Sequence, residues 1–176
     1  MTHEIILAGF GGQGVLFAGK VLSYAGLLDG KEVSWLPSYG PEMRGGTANC
    51  SVCVSDEPIG SPLILQPNVL LAMNTPSFDK FIDTVKAGGT AVVDSSMVDS
   101  TTDREDIKVF YVPATELASE NDLNGMANII LLGKIIKETE MFTLDEIKAG
   151  LEKSIPPSKA ALFDSNIKAI QIGMNS

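Results

Sequence analysis

A glycine-rich stretch near the start of the chain, ILAGFGGQGVLFAGK at residues 6–20, most constrains the fold. The apolar residues 5–8 are followed by the motif GFGGQG at 9–14, and apolar side chains then recur at helical spacing over residues 15–28. This order predicts a strand, a tight turn and a helix. Glycines let a ligand approach the backbone closely, and a helix N-terminus presents free N–H groups to a phosphate. The stretch therefore predicts an α/β fold with a candidate anion site at the turn.

The glycine motif lacks the partner that a dinucleotide-binding fingerprint requires. GFGGQG matches G-x-G-x-x-G, but the end of the next predicted strand, SWLPS, carries no carboxylate for ribose hydroxyls. An overlapping match to G-x-x-x-x-G-K, at residues 14–20, is followed by Val21 instead of the Ser or Thr that would bind Mg²⁺. A nicotinamide or flavin dinucleotide is therefore disfavoured, and a tight turn without any ligand remains an open alternative.

The remaining hydrophobic pattern alternates between strands and helices. Apolar runs predict strands at residues 32–36, 47–54, 69–73, 90–93 and 107–114, and periodic segments predict helices from Pro76 and at 126–138, 144–154 and 166–173. Alternation of this kind predicts a three-layer α/β/α sandwich with a Rossmann-like, mostly parallel sheet. Strands 32–36 and 47–54 are joined by ten residues without a helix, which predicts an antiparallel pair. We expect one domain over residues 1–176.

Composition narrows the classes of function. The chain has 176 residues and a net charge of −9, which disfavours general nucleic-acid binding because phosphate neutralisation needs a basic face. No apolar run is long enough to span a bilayer, and the N-terminal residues lack the features of a signal peptide. We therefore expect no nucleic acid, no membrane and cytoplasmic residence.

The two cysteines have the C-x-x-C spacing of many metal and redox sites. Cys50 and Cys53 fall in a predicted strand, however, where an odd offset places the two side chains on opposite faces. With His3 as the only histidine, the chain has too few ligands for an iron–sulfur cluster of its own. We therefore predict structural cysteines, no metal site and no catalytic residue in this chain.

Two further segments could contribute to a site. The loop SYGPEMRGG, before the third predicted strand, combines Arg44 with several glycines, and Tyr39 and Trp35 nearby suit either a ligand clamp or a protein interface. Asp94 follows the fifth predicted strand at the edge where open α/β sheets bind ligands. We interpret the segment at 94–96 as a solvated loop.

Several motifs together carry a resemblance to a known family. GFGGQG opening a helix, SYGPEMRGG before the third strand, SDEPIGSP after it, and NIILLGKII and SNIKAIQIG near the end resemble the gamma subunit of the 2-oxoacid:ferredoxin oxidoreductases. The resemblance covers almost the whole chain, and the segment SWLPSYGPEMRGGTANCSV is most similar to the 2-oxoglutarate type, followed by the branched-chain type.

The resemblance implies a subunit of a larger enzyme. Such enzymes oxidatively decarboxylate a 2-oxoacid on thiamine diphosphate, transfer the acyl group to coenzyme A and pass electrons through iron–sulfur clusters to ferredoxin. The thiamine diphosphate with its Mg²⁺ and the clusters belong to partner chains. The implied partners are the alpha and beta subunits, with a ferredoxin-like delta subunit as a further candidate. The expected role of this chain is to help bind coenzyme A and to assemble the complex.

The resemblance also implies candidate binding residues. Fused members of the family have a Gly-rich turn followed by a lysine, and a second loop that ends in Gly-Gly. The positions that match them here are Gly11, Gly12, Gln13, Gly14, Lys20, Arg44, Gly45 and Gly46, with Arg44 at a position where the fused members have a basic residue of another type. Lys20 or Arg44 would contact a phosphate of coenzyme A, and arginine can pair with a phosphate through two N–H groups.

Two alternatives remain open from the sequence. The chain could be a stand-alone nucleotide-binding or regulatory module on a Rossmann-like sheet, or a purely structural subunit whose glycine loops pack against a partner. Neighbouring genes for large thiamine-binding proteins would argue against the stand-alone module.

Overall fold

A computed structural model describes residues 1–38 and 47–176 of the chain. The first unit is strand β1 (Thr2–Phe10), a glycine turn and helix α1 (Val15–Leu28). Strands β2 (Glu32–Ser38) and β3 (Thr47–Ser55) follow, and a Pro-rich connector leads from β3 to β4 (Val69–Ala72). The predicted strand–turn–helix is confirmed, and β1 extends beyond the apolar run at both ends.

The second half of the chain adds two strands and most of the helices. Helix α2 (Thr75–Phe81) continues into a 3-10 turn (Ile82–Thr84) and leads to β5 (Thr90–Asp94) and β6 (Lys108–Val112). Then come α3 (Ala114–Glu120), α4 (Ala127–Thr139), α5 (Leu144–Ser154), a 3-10 segment (Pro157–Leu162) and α6 (Phe163–Asn175).

The sheet has the mixed character expected from the sequence. Its order in the described chain is β2-β3-β1-β4-β5-β6, and β4, β5 and β6 run parallel to β1. Strand β3 is antiparallel to both β2 and β1, so the predicted antiparallel hairpin extends to a second antiparallel contact. The mostly parallel α/β/α sandwich is confirmed.

The sheet separates two apolar cores because successive side chains of a strand point to opposite faces. Ile5 and Leu7 of β1 join the core beneath α1 and α4, whereas Ile6 and Ala8 join the core that includes Phe78 of α2. Helices thus cover both faces of the sheet. Among the helices that the structure describes, none has the length and apolar character needed to cross a lipid bilayer.

Helix ends agree with the sequence where a capping signal is present. Thr143, followed by Glu146 three residues on, forms the capping box of α5: Glu146 N donates to Thr143 Oγ1 at 3.3 Å, and Thr143 N donates to Glu146 Oε2 at 2.6 Å. Asn74 caps α2 by accepting a 2.8 Å bond from Ser77 N.

Two elements were absent from the prediction. Residues 107–114 were expected to form one strand, but β6 ends at Val112 and Ala114 already begins α3. Pro113 explains the change, because it donates no ladder hydrogen bond and is favourable just before a helix. The 3-10 segment Pro157–Leu162 was also missed, because two prolines and a short polar run resemble a loop.

Candidate functional site

The glycine turn lies at the carboxyl end of β1. Gly12 and Gly14 have φ values of +91° and +78°, a backbone region that side-chain-bearing residues rarely adopt. Gly14 is the N-cap of α1, and Gly11 and Gly12 are exposed to solvent. The turn therefore presents accessible backbone next to a helix N-terminus, as expected from the sequence.

The side chain of Gln13 is engaged inside the protein. Its Oε1 accepts a bond from Phe10 N at 2.6 Å, and its Nε2 donates to Met73 O, just after β4, at 3.1 Å. Gln13 thus braces the turn against the neighbouring strand. Both ends of its side-chain amide therefore have hydrogen-bond partners within the protein.

Asn128 clamps the turn from the other side. Its Nδ2 donates to Gly14 O at 2.9 Å, and a Cβ added at Gly14 would lie 2.4 Å from that nitrogen. Asn128 lies in the first turn of α4. Position 14 therefore requires glycine for two reasons: its positive φ and the close packing of Asn128 against it. This hydrogen bond from the Asn128 side chain joins the N-terminal regions of α1 and α4.

Lys20 opens onto a cavity of about 320 Å³ between α1, the start of α4 and the segment after α5. We name this space the basic cavity. Its polar lining includes Lys20, Asn128, Ser154, Lys159 and Asn166, and none of the described residues that line it is acidic. The rest of the lining is apolar, including Phe17 and Leu162. Such a lining suits an anionic ligand with an apolar or aromatic body.

The glycines of the turn line other spaces. A cavity of about 200 Å³ is bounded by Phe10, Gly11, Gly12 and Gly14, and one of about 360 Å³ by Gly12, Gln13 and several residues of the β4, β5 and α3 region. The turn residues and Lys20 of the first motif therefore line different cavities.

Arg44, Gly45, Gly46 and Tyr39 lie outside the described residues. The strand that follows them, β3, is described, and its first residue, Thr47, pairs with Phe10 of β1. The described residue that immediately follows the second motif therefore lies beside the first motif.

Asp94 corrects an expectation from the sequence. The interpretation of this segment as a solvated loop is wrong for Asp94, which is 0% exposed. Its carboxylate accepts bonds from Thr115 Oγ1 at 2.6 Å, Thr115 N at 3.3 Å and Ser96 N at 3.1 Å. Asp94 thus joins the end of β5 to the start of α3, and a buried carboxylate with three donors needs no ligand.

The two cysteines lie on opposite faces of β3, as predicted. Cys50 belongs to the core beneath α1, and Cys53 to the core that includes Phe78. Both thiols are free, and burial raises the pKa of Cys50 to about 12. Within residues 1–38 and 47–176, no group of three or more His, Cys, Asp or Glu side chains is placed to hold a metal ion. The residues present do not fit an iron–sulfur cluster.

Comparison with protein families identifies the chain. Residues 4–176 match the model of the family described as "Pyruvate ferredoxin/flavodoxin oxidoreductase". The chain belongs to this family. This match confirms the resemblance drawn from the sequence motifs.

Two relatives show how the family arranges this unit. The 2-oxoglutarate synthase subunit KorC of Methanocaldococcus jannaschii is 38% identical over 159 residues, which cover 89% of this chain and 85% of the relative. The ketoisovalerate oxidoreductase subunit VorA of Methanothermobacter marburgensis is also 38% identical, over 97% of this chain, but this match spans only 35% of the relative's length. The family therefore carries this unit both as a separate subunit and as part of a longer chain.

Solved structures agree with the fold. The gamma subunit of a keto/oxoacid ferredoxin oxidoreductase from Geobacter sulfurreducens is 29% identical, with a TM-score of 0.84 over 98% of this chain and 96% of that one. The 2-oxoglutarate:ferredoxin oxidoreductase from Magnetococcus marinus, solved with 2-oxoglutarate, coenzyme A and succinyl-CoA bound, has a TM-score of 0.86 at 23% identity. That match covers 99% of this chain and 30% of the other.

Among the polar residues that line the basic cavity, sequence reasoning predicted only Lys20. Asn128 carried a weak signal, since it lies at the start of a predicted helix, where a side-chain amide commonly bonds backbone groups. Lys159 carried none, because a single lysine after two prolines in an acidic chain is indistinguishable from an ordinary surface residue. Only the packing of the C-terminal helices brings Lys159 to the same cavity as Lys20.

Proposed function

We propose that this chain is the gamma subunit of a multi-subunit, thiamine diphosphate-dependent 2-oxoacid:ferredoxin oxidoreductase. The complex converts a 2-oxoacid, with 2-oxoglutarate as the first candidate, to the corresponding acyl-CoA. The chain acts as one domain over residues 1–176, contributes to coenzyme A binding and holds the complex together with its alpha and beta partners.

One observation carries the coenzyme A role: the placement of Lys20 in the basic cavity. The chain as a whole has a net charge of −9, yet among residues 1–38 and 47–176 this cavity is lined by two lysines and by no acidic side chain. Lys20 is half-buried, and in the described chain its ammonium forms no ion pair and lies 5.9 Å from the centre of the Tyr24 ring. A lysine held in this way supplies a positive charge for a phosphate of the ligand.

The proposed division of labour agrees with the ligands that this chain offers. Two buried cysteines on opposite faces of one strand cannot jointly hold a cluster, so electron transfer belongs to other subunits. The thiamine diphosphate, its Mg²⁺ and the iron–sulfur clusters are assigned to those subunits, and ferredoxin is the acceptor of the whole complex.

Replacement of Lys20 in the assembled complex tests the coenzyme A role. We expect Lys20→Ala to raise the KM for coenzyme A about tenfold or more, because a charge-assisted hydrogen bond contributes roughly 1.5–3 kcal/mol. The KM for the 2-oxoacid should change little. The matched control is Lys108→Ala, which removes an exposed lysine on β6, away from the cavity. An unchanged KM for coenzyme A in the Lys20 variant, in a fully assembled complex, would refute this role.

Arg44 provides a separate test of the second motif. Arg44→Ala should weaken either the apparent affinity for coenzyme A or the assembly of the complex, measured by initial rates and by size-exclusion chromatography. If both stay at wild-type values, Arg44 has no part in the site.

The substrate is tested directly on the complex. The relatives that are 38% identical include a 2-oxoglutarate synthase subunit and a ketoisovalerate oxidoreductase subunit, so sequence similarity does not choose between these two substrates. We expect the highest kcat/KM with 2-oxoglutarate, compared with ketoisovalerate and pyruvate. A preference for ketoisovalerate would reassign the substrate and leave the subunit role in place.

A further inference from the structure

The glycine turn is closed by a single residue, Gln13. Its backbone N donates to Phe10 O at 3.1 Å, and its side-chain Oε1 accepts from Phe10 N at 2.6 Å. A Cβ added at Gly9 would lie 2.6 Å from Gln13 Oε1, so the glycine at position 9 leaves the room that this side chain occupies. Gln13 therefore satisfies both backbone polar groups of Phe10 and holds the turn in one conformation.

The same side chain ties the turn to the neighbouring strand. Gln13 Nε2 donates to Met73 O at 3.1 Å, and Met73 N donates to Ala8 O of β1 at 2.9 Å. Strands β1 and β4 are adjacent and parallel, and the helices that follow them, α1 and α2, pack on opposite faces of the sheet. The carboxyl ends of two such strands form a switch point, where open α/β sheets bind ligands. Gln13 lies at this switch point with both ends of its amide bonded within the protein.

Gly14 connects the turn to the basic cavity. Its carbonyl oxygen accepts from Ala18 N of α1 at 3.1 Å and from Asn128 Nδ2 of α4 at 2.9 Å. Lys20 and Asn128 line the cavity from these same two helices. Because Gly14 directly follows Gln13, a change in the turn displaces the oxygen that joins the two helix N-termini. The spacing between two walls of the cavity therefore depends on the turn.

We propose that Gln13 is a positioning residue for the basic cavity: through Gly14 and Asn128 it sets the spacing between the starts of α1 and α4, and it does not contact the ligand. This inference rests on the proposed function, in which the cavity contributes to coenzyme A binding. It changes the role that the sequence resemblance implied for Gln13, from binding the ligand to holding the turn. Loss of its two side-chain hydrogen bonds leaves the ammonium of Lys20 in the cavity and lets the turn relax.

The first test is Gln13→Leu in the assembled complex, which removes both side-chain hydrogen bonds at nearly constant size. We expect the KM for coenzyme A to rise about threefold to tenfold, and kcat at saturating coenzyme A to change less than about twofold, because hydrogen bonds of this kind contribute modestly. Gln171→Leu is the matched control, since it makes the same substitution at an exposed position of α6 and should leave both constants unchanged. Circular dichroism checks that each variant chain is folded.

A double-mutant cycle with Asn128→Ala tests the route from Gln13 to the cavity. If both residues act through Gly14, the two substitutions interrupt the same path, and Gln13→Leu should raise the KM much less in the Asn128→Ala background than in the wild type. Effects that multiply independently would indicate that Gln13 contacts the ligand itself, and would overturn the inference.

Hydrogen exchange in the free chain tests the same link without coenzyme A. Gln13→Leu should speed amide exchange over residues 129–133 of α4, because the Asn128 side chain loses its fixed acceptor. Exchange over residues 147–150 of α5, a helix that carries its own capping box, should stay unchanged. Wild-type exchange in α4 of the folded variant would contradict the link between the turn and this helix.

The outcomes distinguish this inference from the proposed function. An unchanged KM for coenzyme A in the Gln13→Leu complex overturns the inference. So does a variant that loses kcat or assembly while its KM stays normal, because Gln13 would then be purely structural. The proposed function stands in both cases if Lys20→Ala raises that KM. A complex that does not use coenzyme A would instead refute the proposed function, and the exchange measurement would still decide whether Gln13 controls the start of α4.

Discussion

The thiol of Cys50 lies beneath α1, where its Sγ donates a hydrogen bond to Val15 O at 3.5 Å. Burial raises its pKa to about 12, and burial also raises the pKa of Cys53 on the other face of β3. Because the thiolate is the reactive form of cysteine, neither residue has the environment of a redox or metal-binding thiol. At this scale, strand geometry explains why a C-x-x-C spacing has no chemical role here.

Alkylation of Cys50 should therefore be slow in the folded protein. In a Cys53→Ser variant at pH 8, we expect iodoacetamide to modify Cys50 at least about a hundredfold more slowly than a free cysteine, because the thiolate population is depressed and the site is closed. Addition of urea should restore the normal rate. Mass spectrometry measures the extent of modification. Rapid modification without urea would contradict the burial of the Cys50 thiol.

Asp56 makes a pH-dependent contribution to the stability of the folded state through its contacts with Lys31 and Met1. Its carboxylate accepts hydrogen bonds from the Lys31 ammonium and from the Met1 amino group, and these bonds lower its pKa to about 2, from an ordinary value of 3.8. A depressed carboxyl pKa stabilises the folded state above the ordinary value, and this stabilisation is lost as the pH falls toward 2. The pair is exposed, so salt should weaken it.

The prediction for Asp56 follows from that sign. In protein that retains Met1, Asp56→Asn should be less stable than the wild type at pH 6 and should converge on it between pH 4 and pH 2. Urea unfolding followed by circular dichroism at several pH values measures the difference. The exposed Asp103→Asn serves as control, since Asp103 forms no ion pair in the described chain. A pH-independent difference for Asp56→Asn would contradict the ion-pair explanation.

At the scale of elements, α4 and α6 cross at two glycines. A Cβ added at Gly173 would lie 1.8 Å from Ile130 O, and one added at Gly133 would lie 2.2 Å from Ile170 O. These neighbours are backbone atoms, so a side chain at either position would force the helices apart. The crossing packs α6 against α4, the helix whose first turn carries Asn128 and so borders the basic cavity.

Gly173→Ala should consequently destabilise the protein by about 3 kcal/mol, since overpacking of a tight contact costs roughly 1–3 kcal/mol and backbone clashes lie at the upper end. Urea unfolding measures the loss. Gly60→Ala is the matched control, because a Cβ there would meet nothing within 4 Å, and its effect should stay within about 0.5 kcal/mol. Similar stabilities for the two variants would show that the helices separate without cost.

Elements were predictable to the extent that local chemistry specifies them. The strand, glycine turn and helix at residues 2–28 and the capping box at Thr143 depend on residues that are close in the chain, and the sequence indicates both. Helix α3 was missed because its seven residues, ATELASE, follow a strand through Pro113 without a separating loop. The solvated interpretation of Asp94 failed because its burial depends on Thr115, which local pattern does not reveal.

For the whole molecule, the proposed role makes the chain dependent on its partners. The purified chain alone should contain no bound iron and catalyse no 2-oxoacid-dependent reduction of ferredoxin, because its two cysteines lie on opposite faces of β3 and its proposed role is to bind coenzyme A. Iron analysis and an assay with and without the partner subunits check this. Stoichiometric iron in the isolated chain, or turnover without partners, would contradict the assignment.

The strand–turn–helix unit, the mixed α/β sandwich and the family could all be predicted from the residues alone, because they depend on hydrophobic period, glycine positions and motifs that are local in the chain. The tertiary structure alone decided that Asn128 meets Gly14, 114 residues away, and that Lys159 shares a cavity with Lys20. Those contacts depend on strand order and on the close crossing of α4 and α6. Such features arise from long-range packing of the whole core, which no local pattern of residues encodes separately.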